Sequence, residues 1–142
     1  MKAREKITRF GVSLERALLG HFDQLIRRRH YENRSEAIRD LIRRELVSEE
    51  WERADSEVMG TVTMVYDHHS GDLTGRLTEL QHDHAHEIVT TTHLHLDHHN
   101  CLEVLIIRGS AGRVRDLFER LRSERGVKHA SLSTATTGAS LR

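Results

Sequence analysis

Residues 90–101 read TTTHLHLDHHNC and hold four histidines and the only cysteine of the chain. Imidazole nitrogen and thiolate sulfur are donors that late first-row metal ions prefer, so the chemistry on offer here is metal binding. Seven of the twelve histidines fall between His82 and His99. Strand geometry sorts them. If 88–96 is a strand, its side chains alternate between two faces. Ile88, Thr90, Thr92, Leu94 and Leu96 then form the more apolar face, and His93 and His95 stand side by side on the other. A short return through 97–100 brings Cys101, the first residue of the next apolar run, close to His95. That supplies two nitrogens and one sulfur. Zinc would complete such a set as a tetrahedron, nickel(II) or copper(II) as a plane, and spacing alone does not choose. Glu103, on the same face as Cys101, is a candidate to orient a ligating histidine.

His82 stands apart. Residues 72–84 have helical spacing, with Leu73, Leu77 and Leu80 on one face. At about 100° per residue, His82 lies opposite Leu73 and Leu80 and points away from its own sheet. It helps this site only by reaching a neighbouring subunit, or else it belongs to another site. His84, nearer the leucines, reads as a packed side chain. His21, His30 and His129 read as surface residues. His86, His98 and His99 fit either the surface or extra ligand positions, and His68 and His69 are ambiguous in the same way.

The elements that must position these donors follow from periodicity. Residues 58–66 and 88–96 read as strands, and 101–107 as a near-continuous apolar strand of central type. Residues 111–125 are helical, with Val114, Leu117, Phe118 and Leu121 together, and 127–133 form a last strand. The order β-α-β-β-α-β is the ferredoxin-like arrangement. The fold class expected is therefore α+β, with this domain at 58–133 and a flexible tail at 134–142. The charged stretch 48–57 lacks an apolar face and reads as a linker, helical at most at its start.

Residues 1–50 form a separate module. The segment 8–14 alternates, with Phe10, Val12 and Leu14 on one side and Arg9, Gly11 and Ser13 on the other. Residues 15–29 and 34–47 carry helical apolar stripes, and Asn33 followed by Glu36 fits a capping box. The lone strand has no sheet partner in the module, so it pairs with another chain or stays exposed. Two such strands paired in a dimer make a ribbon that fits the DNA major groove. Arg9 and Ser13 would face the bases, with Gly11 between them, while Arg34 and Ser35 at a helix N-terminus suit phosphate. Charge agrees: residues 1–47 hold twelve Lys/Arg against seven Asp/Glu, within a chain of net charge zero. One cysteine allows no internal disulfide, and no signal-like or membrane-spanning apolar run is present in the 142 residues, which leads to the expectation of a cytoplasmic protein.

RFGVSL followed by NRSEAIRDLIRREL resembles the ribbon-helix-helix DNA-binding module, and by that resemblance Arg9 and Ser13 read bases. With QHDHAH…HLHLDHHNCLEV downstream, residues 4–133 resemble the nickel-responsive transcriptional regulators, the NikR family. The resemblance implies an ACT-like second domain that forms a tetramer core between two DNA-binding dimers. It implies one Ni(II) per subunit in a square plane at the subunit interface, held by His93, His95 and Cys101 of one chain and His82 of another. It implies double-stranded operator DNA with a two-part inverted repeat as partner, repression of nickel-uptake genes, and no enzymatic activity. Some members hold a second cation between the two domains, and Glu36 and Asp40 match its ligands. Three rival readings remain at this stage. One is a sensor of zinc or copper on the same scaffold. A metal buffer or chaperone is disfavoured by the basic module. A metalloenzyme is disfavoured by a site filled with four protein ligands.

Overall fold

The computed structural model describes residues 6–141. The chain divides into two compact units, 1–41 and 42–142. Helix α1 (Arg16–Arg28) lies in the first, and a tight turn joins it to α2 (Arg34–Glu52), which starts in the first unit and ends in the second. The turn ends α1 with Tyr31 N–H donating to Ile26 O at 3.1 Å and His30 N–H to Arg27 O at 3.2 Å. This is the Schellman pattern, which needs a left-handed residue, and His30 supplies it with φ of 58°. Asn33 Oδ1 caps α2 by accepting the Glu36 N–H at 2.9 Å. The return bond reaches one residue further back than a standard capping box, from Glu32 N–H to Glu36 Oε2 at 3.2 Å.

The segment 8–14 forms no strand in the single chain. It runs exposed, with Phe10 70%, Val12 59% and Leu14 43% accessible. The physical reason is the one the sequence supplied: the described residues of this unit contain nothing for it to pair with. Arg9, Gly11 and Ser13 are exposed on it. Arg34 is engaged, its guanidinium donating to both carboxylate oxygens of Asp23 at 2.8 Å. Ser35 is exposed at the start of α2. Asp40 accepts the Tyr31 hydroxyl.

The second unit is built on β1 (Glu57–Asp67), α3 (Leu73–Asp83), β2 (Ile88–His95), β3 (Asn100–Ser110), α4 (Ala111–Ser123) and β4 (Val127–Ala135), with a 3-10 turn at Ala139–Leu141. The sheet order is β2-β3-β1-β4, and all three strand pairings are antiparallel. This is the ferredoxin-like order, and the chain is α+β as expected. Strand alternation sends Val58, Val62, Met64 and Tyr66 of β1, and Cys101, Leu105 and Ile107 of β3, to one face. Leu73 and Leu77 of α3, with Val114, Leu117 and Leu121 of α4, complete the core with them.

Two details correct the sequence reading. Helix α2 continues to Glu52, through residues expected to act as linker. Trp51 anchors that end: it is 6% exposed and its Nε1–H donates to Ala135 O at 2.8 Å. Gly60 makes room for the indole, since a Cβ there would lie 3.2 Å from the Trp51 ring carbons. The second correction concerns β2. A register shift lies between Ile88 and Thr90, where Ile88 pairs Ile107 and Thr90 pairs Ile106. An extra residue in one strand reverses side-chain parity across it. Ile88 therefore packs against the core, rather than sharing a face with Thr90, Thr92 and Leu94.

Candidate metal centre

The bulge leaves the histidine parity intact. His95 pairs Cys101 and His93 pairs Glu103 across the β2–β3 ladder, so both histidines share the face of Cys101. Cys101 is also paired on its other side, with Tyr66 of β1. Its side chain is fully buried between two neighbouring strands. Such a thiol resists ionisation: burial raises its pKa first, and the carboxylates of Asp67, Asp97 and Glu103 raise it further.

The donors that converge are His68, His95 and Cys101, whose ligand atoms all lie within 4.8 Å of one another. Cys101 Sγ stands 3.1 Å from His68 Nδ1 and 3.3 Å from His95 Nδ1. A sulfur and a nitrogen bound to one ion at ~2.3 and ~2.0 Å, at a right angle, lie about 3.1 Å apart. The two sulfur–nitrogen spacings therefore suit joint ligation of a late first-row ion. His93 is beside this set, with its ring centroid 5.0 Å from that of His95 and 6.1 Å from that of Tyr66. His82 is exposed in the last turn of α3 and is not among the converging donors.

His68 is a residue the sequence left ambiguous between surface and extra ligand. It follows the end of β1, where its N–H donates to His99 O at 3.2 Å and joins the β1–α3 turn to the β2–β3 turn. Burial, reinforced by the neighbouring His69 and His95, lowers its pKa and keeps the ring a neutral donor. The only sequence signal was its position two residues after Tyr66. That becomes informative only once β1 is known to lie beside β3.

Glu103 is buried, but it is not bonded to a histidine. Its Oε2 accepts the Tyr66 hydroxyl at 2.8 Å and its Oε1 accepts Gln81 Nε2–H at 2.8 Å. Glu103 thus ties β1 and α3 to the strand that carries Cys101. The Tyr66 hydroxyl is pushed well above its ordinary pKa by burial and then by this carboxylate, so it remains a donor. His84 is the packed histidine expected, 9% exposed, with Nδ1 3.7 Å from a Glu87 oxygen. The other Glu87 oxygen pairs with Arg113.

Residues 59–135 match the family described as the NikR C terminal nickel binding domain, and residues 8–49 match the ribbon-helix-helix protein, copG family. The chain belongs to the nickel-responsive regulator family. A relative from Nitratidesulfovibrio vulgaris (strain Miyazaki F), named as a nickel-responsive regulator, is 59% identical over 94% of this chain and 96% of its own length. Another so named, from Thermococcus onnurineus, is 54% identical over 96% of this chain and 99% of its own. Among solved structures, an uncharacterized protein of Thermotoga maritima aligns with a TM-score of 0.50 at 14% identity. It covers 55% of this chain and 96% of its own, and shows a shared fold only. No helix among the described residues is long and apolar enough to cross a membrane.

Proposed function

We propose that the chain is a cytoplasmic, non-enzymatic transcriptional repressor that binds operator DNA when nickel(II) is held at Cys101, and that it governs nickel-uptake genes. The observation that carries this is the ladder register, which sets His93 and His95 on one face with the buried thiol of Cys101. In this reading His93, His95 and Cys101 are the ligands from one chain, and His82 from a second copy is the fourth, with one ion per subunit. Nickel(II) supplies a preference for a planar set of nitrogen and thiolate donors. Cys101 gives up its proton to become a ligand. In this reading His68, whose Nδ1 lies 3.1 Å from Sγ, orients the thiol and is not one of the four ligands. Glu103 keeps Tyr66, Gln81 and the Cys101 strand in register.

The exposed position of His82 on α3 supports a site shared between subunits, because it is accessible to a second copy and is not among the donors that converge within its own chain. The exposed Phe10, Val12 and Leu14 support pairing of 8–14 with the same segment of a second copy. In that dimer Arg9, Gly11 and Ser13 line the ribbon toward the bases, and Arg34 and Ser35 meet phosphate. Two such dimers, joined through the domain at 58–133, dock on a two-part inverted repeat, with residues 1–50 as the DNA-binding module; the tail expected at 134–142 starts later, since β4 runs to Ala135. Glu36 and Asp40, four apart on α2, offer carboxylates to a second cation. Coupling is a population shift: ligands arranged across subunits favour the tetramer geometry in which both ribbons reach one duplex.

The test is a nickel titration of promoter binding by the full chain. Nickel should strengthen binding of the wild type, and Cys101→Ala should abolish the response. An unchanged nickel dependence in Cys101→Ala would sink the reading.

A further inference from the structure

Three histidines outside the Cys101 donor set stand together on the neighbouring turns. His69 lies on the β1–α3 turn, and His98 and His99 on the β2–β3 turn. Their ring centroids are 5.4 Å apart for His69–His98, 5.7 Å for His69–His99 and 5.0 Å for His98–His99. Two imidazoles bound to one ion at ~2.0–2.1 Å place their centroids about 4.5–5.5 Å apart, for angles from a right angle to slightly beyond tetrahedral. The observed triangle matches that spacing to within a few tenths of an ångström. All three side chains are exposed; their nitrogens do not converge as those of the Cys101 set do, so binding an ion requires the rings to turn.

The backbones beneath them are held. Asp97 Oδ1 accepts the N–H groups of His99 and Asn100, both at 2.8 Å, and Asp67 Oδ1 accepts the His69 N–H at 2.9 Å. The His68 N–H bond to His99 O locks one turn to the other. One ring is already oriented as metal-ligating histidines are. His69 Nε2 lies 3.1 Å from His98 O, so this nitrogen carries the proton and donates it to the carbonyl. That fixes the tautomer and leaves the Nδ1 lone pair available. Two ionised carboxylates, Asp67 and Asp97, lie in the same turns and favour a cation there. The cluster also abuts the deeper site, since the His69 ring is 4.0 Å from that of His68, which touches Cys101 Sγ.

We propose that His69, His98 and His99 form a second, weaker site for an imidazole-preferring divalent cation, and that this site passes the ion through His68 to Cys101. Three neutral imidazoles without a thiolate bind less tightly than a set that includes sulfur. A weak, exposed site next to a buried tight one captures ions quickly and releases them inward. The binding site itself stands apart from DNA regulation, and the transfer step rests only on Cys101 being a metal ligand.

The experiment uses nickel chloride and the full chain. Equilibrium dialysis should find a tight and a weaker class of site in the wild type. The triple variant His69→Gln, His98→Gln, His99→Gln should lose only the weaker class. Stopped-flow absorption of the nickel–thiolate band should then rise severalfold more slowly, to the same final amplitude. Cys101→Ala should keep the weaker class and lose the band. A triple variant that retains both classes, or loads at the wild-type rate, overturns the proposal. So does loss of the tight class in the triple variant, which would make these histidines part of the Cys101 centre. Loss of the weaker class in Cys101→Ala overturns the separateness of the two sites. None of these outcomes depends on promoter binding, so a failure here is distinguishable from failure of the regulatory reading.

Discussion

Replacing Tyr66 with Phe tests the buried network that holds the Cys101 strand. The hydroxyl donates to Glu103 Oε2 at 2.8 Å, and the two residues are 3% and 7% exposed. The other oxygen of Glu103 is already occupied by Gln81. Removing the hydroxyl therefore leaves one carboxylate oxygen buried without a partner. A hydrogen bond to a charged group is worth about 1.5–3 kcal/mol, and an orphaned buried acceptor costs its desolvation as well. Phe keeps the ring and leaves no large cavity, so little of the loss comes from packing. Tyr66→Phe should lower unfolding stability by about 1.5–3 kcal/mol, read from urea denaturation at fixed protein concentration. A double-mutant cycle with Glu103→Gln should give a coupling above about 0.5 kcal/mol, as for residues in one network. A Tyr66→Phe change within about 0.5 kcal/mol of wild type, with additive effects in the cycle, would refute the argument, since that is the range of an ordinary surface substitution.

His93→Ala should weaken nickel binding about 10²–10³-fold, because an apparent ~10–16 kcal/mol shared over four ligands is ~2.5–4 kcal/mol each. His68→Ala should weaken it far less in a competition assay with a chromogenic chelator, and the reverse ranking would assign the ligand role to His68. The Asp97 carboxyl, held at about 2 by hydrogen bonds from Asn100 and His99, stabilises the β2–β3 turn fully above its ordinary pKa of 3.8. That contribution is lost as pH falls through about 2, so amide protection at His99 and Asn100 should drop across this window, and an Asp97 midpoint near 3.8 by NMR would contradict it. His30→Gly should raise stability by about 1 kcal/mol, because glycine adopts the left-handed φ of 58° without the Cβ penalty, and a destabilised variant would show that the histidine ring contributes more than its backbone costs.

Much of the molecule was legible from local pattern. The βαββαβ order came from apolar spacing, and the shared face of His93, His95 and Cys101 came from alternation together with a four-residue return. The return is short enough for chain continuity to place its ends together. The bulge at Ile88 was not legible, because alternation records parity and an inserted residue resets it without changing composition. Trp51 was read as part of a charged linker, because its burial depends on Gly60 and Ala135, which lie far away in sequence.

By itself the sequence determined which side chains could bind a metal, which strand faces they share, and that segment 8–14 has no partner within its own module. These follow from covalent geometry and short-range spacing. The tertiary structure alone decided which donors meet. His68 reaches Cys101 because β1 pairs with β3, with Tyr66 opposite the cysteine. The same pairing buries Glu103 against Tyr66 and brings two histidine-bearing turns into contact. Strand pairing across tens of residues is set by how the whole sheet buries its apolar face, and no local spacing carries that information.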